Sequence, residues 1–297
     1  MQTVAVTGAS GFIGAAVCAR LRADGDDVIA VDVAGDPDRR ADVADPSATI
    51  AALAGADAVV HAAAIVSERG PMRDFVRVNV RGTRNVLDAA QSRRAVVLAS
   101  VAGWGYEFTR ELPEDAPPRP CGIPYIDTKG VAETLALRRG ATVIRPGDVY
   151  GPGSGPWVVR PLDLMRAGRF FLPAPGDGLL TPVYVDDLVD AIVLALREPA
   201  AGGRAYTVWD GEAVTAREYF SALGGAPVRT LPAPVLRVAA RLSGVGPAAL
   251  TFMSRRATYP NARAREELGW SPRTSLAAGM ARTREWARAA GLLGDRT

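Results

Sequence analysis

The chain has 297 residues, enough for one full α/β domain and a smaller second lobe. Apolar residues make up 48% and aromatics 6%, so a core can form from Ala, Val and Leu, and a disordered chain is excluded. The net charge of +3 comes from arginines interleaved with acids, which argues against a nucleic-acid face. The first half then alternates short apolar runs with helical patterns. Thr3–Thr7, Val28–Asp32, Ala58–His61, Ala95–Ala99 and Ala141–Arg145 read as strands. Their continuous apolar character fits parallel strands covered on both faces. Helices are predicted over Phe12–Ala23, Ser47–Leu53, Phe75–Gln91 and Ile123–Arg138. This alternation predicts an α/β fold with a Rossmann doubly wound parallel sheet. After Tyr150 the texture changes. Gly151–Pro156 and Leu172–Gly178 read as loops, and Val185–Arg197 as a helix with Asp186 and Asp187 in its first turn. The predicted division is a dinucleotide-binding domain over 1–150, joined by elements from about 181–208. A smaller, mostly helical C-terminal substrate lobe takes 151–180 and 209–297.

Two cysteines, Cys18 and Cys121, and a single histidine leave no metal-ligand spacing, so no metal is expected. Distant cysteines read as free thiols in a reducing compartment. Met1-Gln2-Thr3 runs straight into an apolar strand, and Asp57, His61 and Arg197 break the apolar stretches. The expectation is a cytoplasmic protein with no membrane partner and no nucleic-acid partner.

Thr7-Gly8-Ala9-Ser10-Gly11-Phe12-Ile13-Gly14 follows the first strand and opens the first helix. A turn without side chains lets backbone N–H groups and a helix N-terminus meet a pyrophosphate. Asp32 ends the second strand, where a carboxylate hydrogen-bonds adenosine ribose hydroxyls. A carboxylate there also repels a 2′-phosphate, which favours NAD. Arg39 and Arg40 follow closely, so NADP stays open, although a solvated loop is their simpler reading.

Of the 35 basic residues 34 are arginine, and Lys129 is the single lysine. A compact ammonium does what a planar guanidinium does not. Tyr125 stands four residues earlier, on the same face of the predicted helix. A phenol titrates near ~10, and a neighbouring ammonium lowers that value. Tyr125 then serves as general acid or base. Tyr-x-x-x-Lys alone often marks only an exposed helix pair. Here it lies between the fourth and fifth strands of the predicted sheet, and Ser100 stands just past the fourth, at the ligand-binding edge of such sheets.

With these motifs in order, the chain resembles the extended short-chain dehydrogenase/reductase family, also called the NAD-dependent epimerase/dehydratase family. Further matching segments are Ala41-Asp42-Val43, His61-Ala62-Ala63-Ala64, Asn79–Thr83, Arg145–Gly151, Tyr184–Leu188 and Glu267–Pro272. The resemblance implies that Ser100 hydrogen-bonds the reacting oxygen, Tyr125 exchanges its proton and Lys129 holds the nicotinamide ribose. It places Asp42 and Val43 at adenine, Ala62, Ala63 and Ala64 along the cofactor, and Pro146 and Val149 near nicotinamide. Asn79 is implied either as a structural residue or as part of a proton relay. A packed histidine is usual at His61, so catalysis there is disfavoured. The resemblance also implies a homodimer through Tyr125–Arg138 and nearby helices, where an apolar face reads equally as core.

Three reactions compete within the family. Dehydratases carry an Asp-Glu pair after the Ser position, whereas this chain has Val101-Ala102. Epimerases carry an arginine just ahead of Val183–Leu188 and an asparagine at the place of Asp148; here Leu179–Pro182 precede. Arg160, Arg255 or Arg256 remain as alternative anion grips. The stretches Pro247–Met253 and Ala264–Trp286 look like hydroxysteroid-dehydrogenase and flavonoid-reductase-like members. Trp157, Phe170, Phe171, Phe252 and Met253 read either as an apolar pocket wall or as ordinary core. The expected substrate contacts are Ser100, Val101, Asp148 and Trp157. The expected activity is NAD(P)-dependent ketone–alcohol redox on a small molecule, with a sugar-nucleotide epimerase holding tightly bound NAD as the alternative. A non-catalytic cofactor sensor is disfavoured because Ser100, Tyr125 and Lys129 are all present.

Overall fold

A computed structural model describes residues 1–67, 69–105, 112–236, 247–256 and 258–294, with 247–249 as backbone only. Six strands are β1 (Thr3–Thr7), β2 (Asp27–Asp32), β3 (Arg39–Arg40), β4 (Ala58–His61), β5 (Arg94–Leu98) and β6 (Thr142–Pro146). Together with an edge strand, Ala205–Val208, they form one parallel sheet. Its order is edge strand, β6, β5, β4, β1, β2, β3. The order reverses between β1 and β4, and at such a switch point a crevice opens beyond the carboxyl ends of the strands. Thr7 there stands opposite both Val31 and His61.

The strands read as unbroken apolar runs because both faces are covered. Val4, Val6, Val60, Val96, Leu98 and Ile144 join one buried cluster. Their neighbours Ala5, Val31, Val59, Val97 and Val143 join the other. Alternate side chains point to opposite faces, so each face receives its own layer. Helix α1 (Phe12–Ala23) and α7 (Val185–Arg197) pack together on the first face. The second face carries α2 (Pro46–Ala52), α4 (Thr83–Ala90) and α5 (Pro124–Arg138).

The predicted helix Phe75–Gln91 begins earlier and is not uniform. It runs as α3 (Met72–Phe75), a π-helical stretch Val76–Gly82, then α4. The wider turn shifts the helical register, but over only seven residues the shift is too brief for periodicity to reveal it. Gly151–Pro156 turns partway into a second π-helical stretch, Gly155–Val159, leading into α6 (Arg160–Arg166). Leu172–Pro173, expected as loop, pairs with Thr230–Leu231 in a two-residue ladder too short to carry a pattern. Asp148–Tyr150 pairs in parallel with Pro182–Tyr184. Beyond these lie α8 (Ala216–Gly224) and helices Pro247–Phe252, Ala262–Leu268 and Leu276–Ala289. Among the described residues no helix is long and apolar enough to cross a membrane.

Candidate active site

Gly8, Gly11 and Gly14 form the turn between β1 and α1. Gly8 has φ +72°, and an added Cβ would stand 2.6 Å from the Ala63 nitrogen. At Gly14 it would overlap the Gly8 carbonyl. The turn is therefore pressed against α1 on one side and the Ala62-Ala63 backbone on the other. Gly11 caps α1 with no side-chain hydrogen bond, and the first turn of α1 holds no acid. Its leading N–H groups and positive dipole end are thus left for an external anion. Phe12 and Ile13 pack partly buried against the core, with Ala62 beside them. This is a cradle of the size and charge that a dinucleotide pyrophosphate fits.

Asp32 ties this turn to the loop after β2. Its carboxylate accepts from Ser10 N (2.9 Å), Val33 N (2.7 Å) and Ala34 N (3.2 Å), while Ser10 Oγ donates to the Ala34 carbonyl. Both arginines that could have met a 2′-phosphate are engaged elsewhere. Arg39 donates to the Ala51, Ala52 and Ala54 carbonyls, and Arg40 to those of Val33 and Gly35. The Asp32 region thus fits NAD better than NADP. Asp42 is capped by Ala44 N (2.9 Å) and paired with Arg77 (2.6 Å). Partial burial pushes its carboxyl up, and these two partners outweigh it and hold the pKa below the usual range. Val43 is buried, and its carbonyl accepts from Thr49 and Asn85.

His61 is sealed in the sheet. Its Nδ1 lies 2.7 Å from Thr7 Oγ1 and its Nε2 2.9 Å from Thr83 Oγ1. Thr83 already donates to the Asn79 carbonyl at 2.6 Å, which assigns the ring proton to Nε2. Burial first, then the Lys129 charge, drop its pKa to about 3. Between pH 6.5 and about 3 the unfolded chain therefore binds a proton that the fold does not, and stability falls as pH falls. Urea unfolding at pH 5 should show about 2 kcal/mol less stability than at pH 7 from this residue. The difference should shrink in His61→Gln. Equal stability at both pH values in the wild type would remove the argument.

Ser100 follows β5 and caps the short helix Val101–Trp104, accepting from Ala102 N at 3.1 Å. Tyr125 and Lys129 project from one face of α5, which Pro124 opens. Burial pushes the Tyr125 pKa up and the neighbouring Ser100 hydroxyl opposes it, with burial the larger effect. The expected lowering of this phenol by Lys129 is not among the influences on it; the Lys129 ammonium donates to the Leu98 carbonyl on β5. Lys129 is itself buried, which lowers its pKa to about 8 against the opposing pull of Glu133.

Asn79 sits in the π-helical stretch. Its amide accepts from Ile65 N (2.8 Å) and donates to the Ile65 carbonyl (3.2 Å) and to Thr128 Oγ1 (3.1 Å). It therefore clamps the strand-end loop of Ala62–Ile65 to α5, one residue from Lys129. The π register aims this side chain at two elements at once.

Three of the expected substrate contacts pack against other parts of the chain. Val101 is buried with Trp104, Leu112, Ala116 and Tyr259. Asp148 is buried in an ion pair with Arg255 and accepts from Thr181 N at 2.7 Å. Local sequence could not foresee that partner, 107 positions away. Trp157 packs among Tyr219, Phe220 and Phe252, and Phe170 against Phe220, all on the same core cluster as the first face of the sheet. Phe171 lies under Arg229, and Met253 packs on the main core. Pro146 and Val149 are buried at the carboxyl end of the sheet. Arg256 pairs with Asp177, and Arg160 is exposed. Glu133, which motif reading passed over, and Arg145, which it matched without a role, form a buried pair at 2.6 Å. The signal for Glu133 was its place four residues after Lys129.

The fold and this crevice define a Rossmann enzyme of the extended short-chain dehydrogenase/reductase type. A model of the NAD dependent epimerase/dehydratase family matches residues 4–208, and the chain belongs to that family. It is 34% identical to a UDP-glucose 4-epimerase of Mycolicibacterium smegmatis, over 97% of this chain and 99% of that one. It is 32% identical to a 2-alkyl-3-oxoalkanoate reductase of Stenotrophomonas maltophilia, over 74% of each. A solved structure of MoeE5 with UDP-glucose and NAD superposes with a TM-score of 0.80 at 28% identity, covering 97% and 99% of the two chains. The epimerase and the reductase among these relatives carry different activities.

Proposed function

We propose that this protein is an NAD-dependent oxidoreductase interconverting a ketone and a secondary alcohol. The observation that carries this reading is the closed Asp148–Arg255 pair. Arg255 is fully buried, its Nε donates to the Leu179 carbonyl, and its Nη2 meets Asp148. A cation already neutralised by a buried carboxylate offers little to a diphosphate that must leave water. The substrate is therefore neutral, or carries its charge away from this place.

Residues 151–180 and 209–297 would then form the substrate lobe over the crevice. The glycine turn and α1 would hold the pyrophosphate, Asp32 the adenosine ribose and Lys129 the nicotinamide ribose. NAD supplies or accepts hydride when bound. Tyr125, kept protonated by burial, donates its proton to the ketone oxygen, and takes it back in the oxidative direction. Ser100 hydrogen-bonds the same oxygen. Asn79 holds the cofactor-side loop against α5.

A second reading, sugar-nucleotide epimerisation, is favoured by the full-length similarity to the UDP-glucose epimerase. The two differ in net redox. Turnover followed by NADH absorbance should show net consumption with small ketones and none with UDP-sugars. Interconversion of a UDP-sugar without net change in NADH would overturn the redox reading. Asp148→Asn offers an independent check. It releases Arg255, and affinity for uridine diphosphate in calorimetry should rise about tenfold, equivalent to ~1.4 kcal/mol. An unchanged affinity would show that the pair does not face the substrate.

A further inference from the structure

Glu133 and Arg145 form a deeply buried ion pair, with side chains 2% and 3% exposed. Burying two charges costs more than their attraction returns in most settings, so such a pair calls for a reason beyond stability. Its surroundings supply one. Tyr125, Lys129 and Glu133 are spaced four apart on one face of α5, so Glu133 stands one turn beyond Lys129. Arg145, on β6, reaches across to Glu133 Oε1 at 2.6 Å and donates to the Glu114 carbonyl at 2.5 Å. Its guanidinium lies 4.5 Å from the centre of the Trp104 ring. Trp104 ends the short helix that Ser100 caps. One buried pair therefore touches both catalytic elements, the Ser100 turn and the Tyr125–Lys129 helix.

We propose that Glu133, held by Arg145, is a positioning residue that keeps the buried Lys129 in its ammonium form. This rests on the role given to Lys129 above. The ammonium faces few groups that could hold its charge. On β4, His61 is neutral. On β5 the Leu98 carbonyl contributes a dipole only. On α5, Tyr125 is an uncharged phenol at neutral pH. Glu133 is the carboxylate that opposes the desolvation of Lys129. Arg145 from β6 fixes it in place, and the Glu114 carboxylate, beyond Arg145, is occupied by Thr207 N and Arg263 N. With burial alone the Lys129 pKa would lie lower still, and a neutral amine carries no charge with which to hold a ribose hydroxyl or support a proton-transferring phenol.

The single lysine makes the test direct, because a protein labelled at lysine 13Cε gives one resonance that titrates with Lys129. In Glu133→Gln the shape is kept and Arg145 is left uncompensated. The midpoint of that titration should fall by about one pH unit. In Arg145→Met the unpaired carboxylate should move it the other way or leave it unmoved through its own protonation, but not lower it. Should Glu133→Gln fail to fold, the double variant Glu133→Met/Arg145→Met removes both charges at similar volume, and the midpoint should again fall, by less. The alkaline limb of kcat should track these midpoints. A midpoint within a few tenths of the wild-type value in the folded Glu133→Gln or double variant overturns the proposal and leaves the pair a purely structural one. The titration needs no substrate, so this outcome is separate from any failure of the redox reading.

Discussion

Tyr125→Phe is expected to lower kcat by about 10²- to 10⁴-fold, the usual contribution of a positioned acid or base. The ring stays and packs as before. Only the phenolic hydroxyl, which the Ser100 side chain neighbours, is removed. Ser100 keeps its contact with Ala102 N, so the turn after β5 should hold its shape. The dissociation constant of NAD, read by fluorescence quenching, should stay within about threefold, because Lys129 and the glycine turn are untouched; a shift that small is well under ~1 kcal/mol. The pH profile adds a sign. Burial holds the phenol protonated at neutral pH, so reduction needs no prior ionisation. Lys129, with a pKa of about 8, loses its charge as pH rises through that value. Reductive turnover should therefore fall above about pH 8 and stay level below it. Wild-type turnover in Tyr125→Phe would refute the assignment of Tyr125 outright.

Gly14→Ala is expected to cost most of the cofactor affinity while leaving the catalytic residues in place. A Cβ at position 14 would overlap the Gly8 carbonyl oxygen and stand 2.7 Å from its carbon and 3.0 Å from the Ala9 Cα. These are backbone atoms of the phosphate turn, so no side chain can swing aside to relieve the clash. The turn has little room to retreat, because Gly8 already lies against the Ala62-Ala63 backbone. Overpacking of this kind costs about 1–3 kcal/mol of stability. A displaced turn also takes its N–H groups away from the pyrophosphate position. Affinity for NAD should drop about 100-fold or more, an effect of roughly 3 kcal/mol. Thermal unfolding and NAD titration measure the two losses separately. Unchanged NAD affinity in a folded Gly14→Ala protein would mean that the cofactor does not rest on this turn.

Much of this site was legible in local sequence. The helices Phe12–Ala23 and Val185–Arg197 begin and end where the pattern placed them, and the five buried strands fall within a residue of their expected bounds. The glycine turn, Asp32 and the Tyr125–Lys129 spacing needed only neighbours in the chain. Less legible were the features set by the register of distant pieces. The π-helical turn that aims Asn79 at Ile65 and Thr128 looks like ordinary helix in its composition. Trp157 reads equally as pocket wall or core until Tyr219, Phe220 and Phe252 are seen around it.

The residue order by itself determined the Rossmann framework, the phosphate turn and the uniqueness of Lys129. All three follow from spacing of a few residues, at which backbone geometry and helical periodicity act directly. Only the tertiary structure decided how the charges are spent. It set Arg255 on Asp148, Arg145 on Glu133, and Arg39 and Arg40 on backbone carbonyls. It also gave Tyr125 a pKa ruled by burial rather than by its lysine. The physical reason is that a charge acts through distance and desolvation. Both are fixed only when strands and helices from remote parts of the chain close around it.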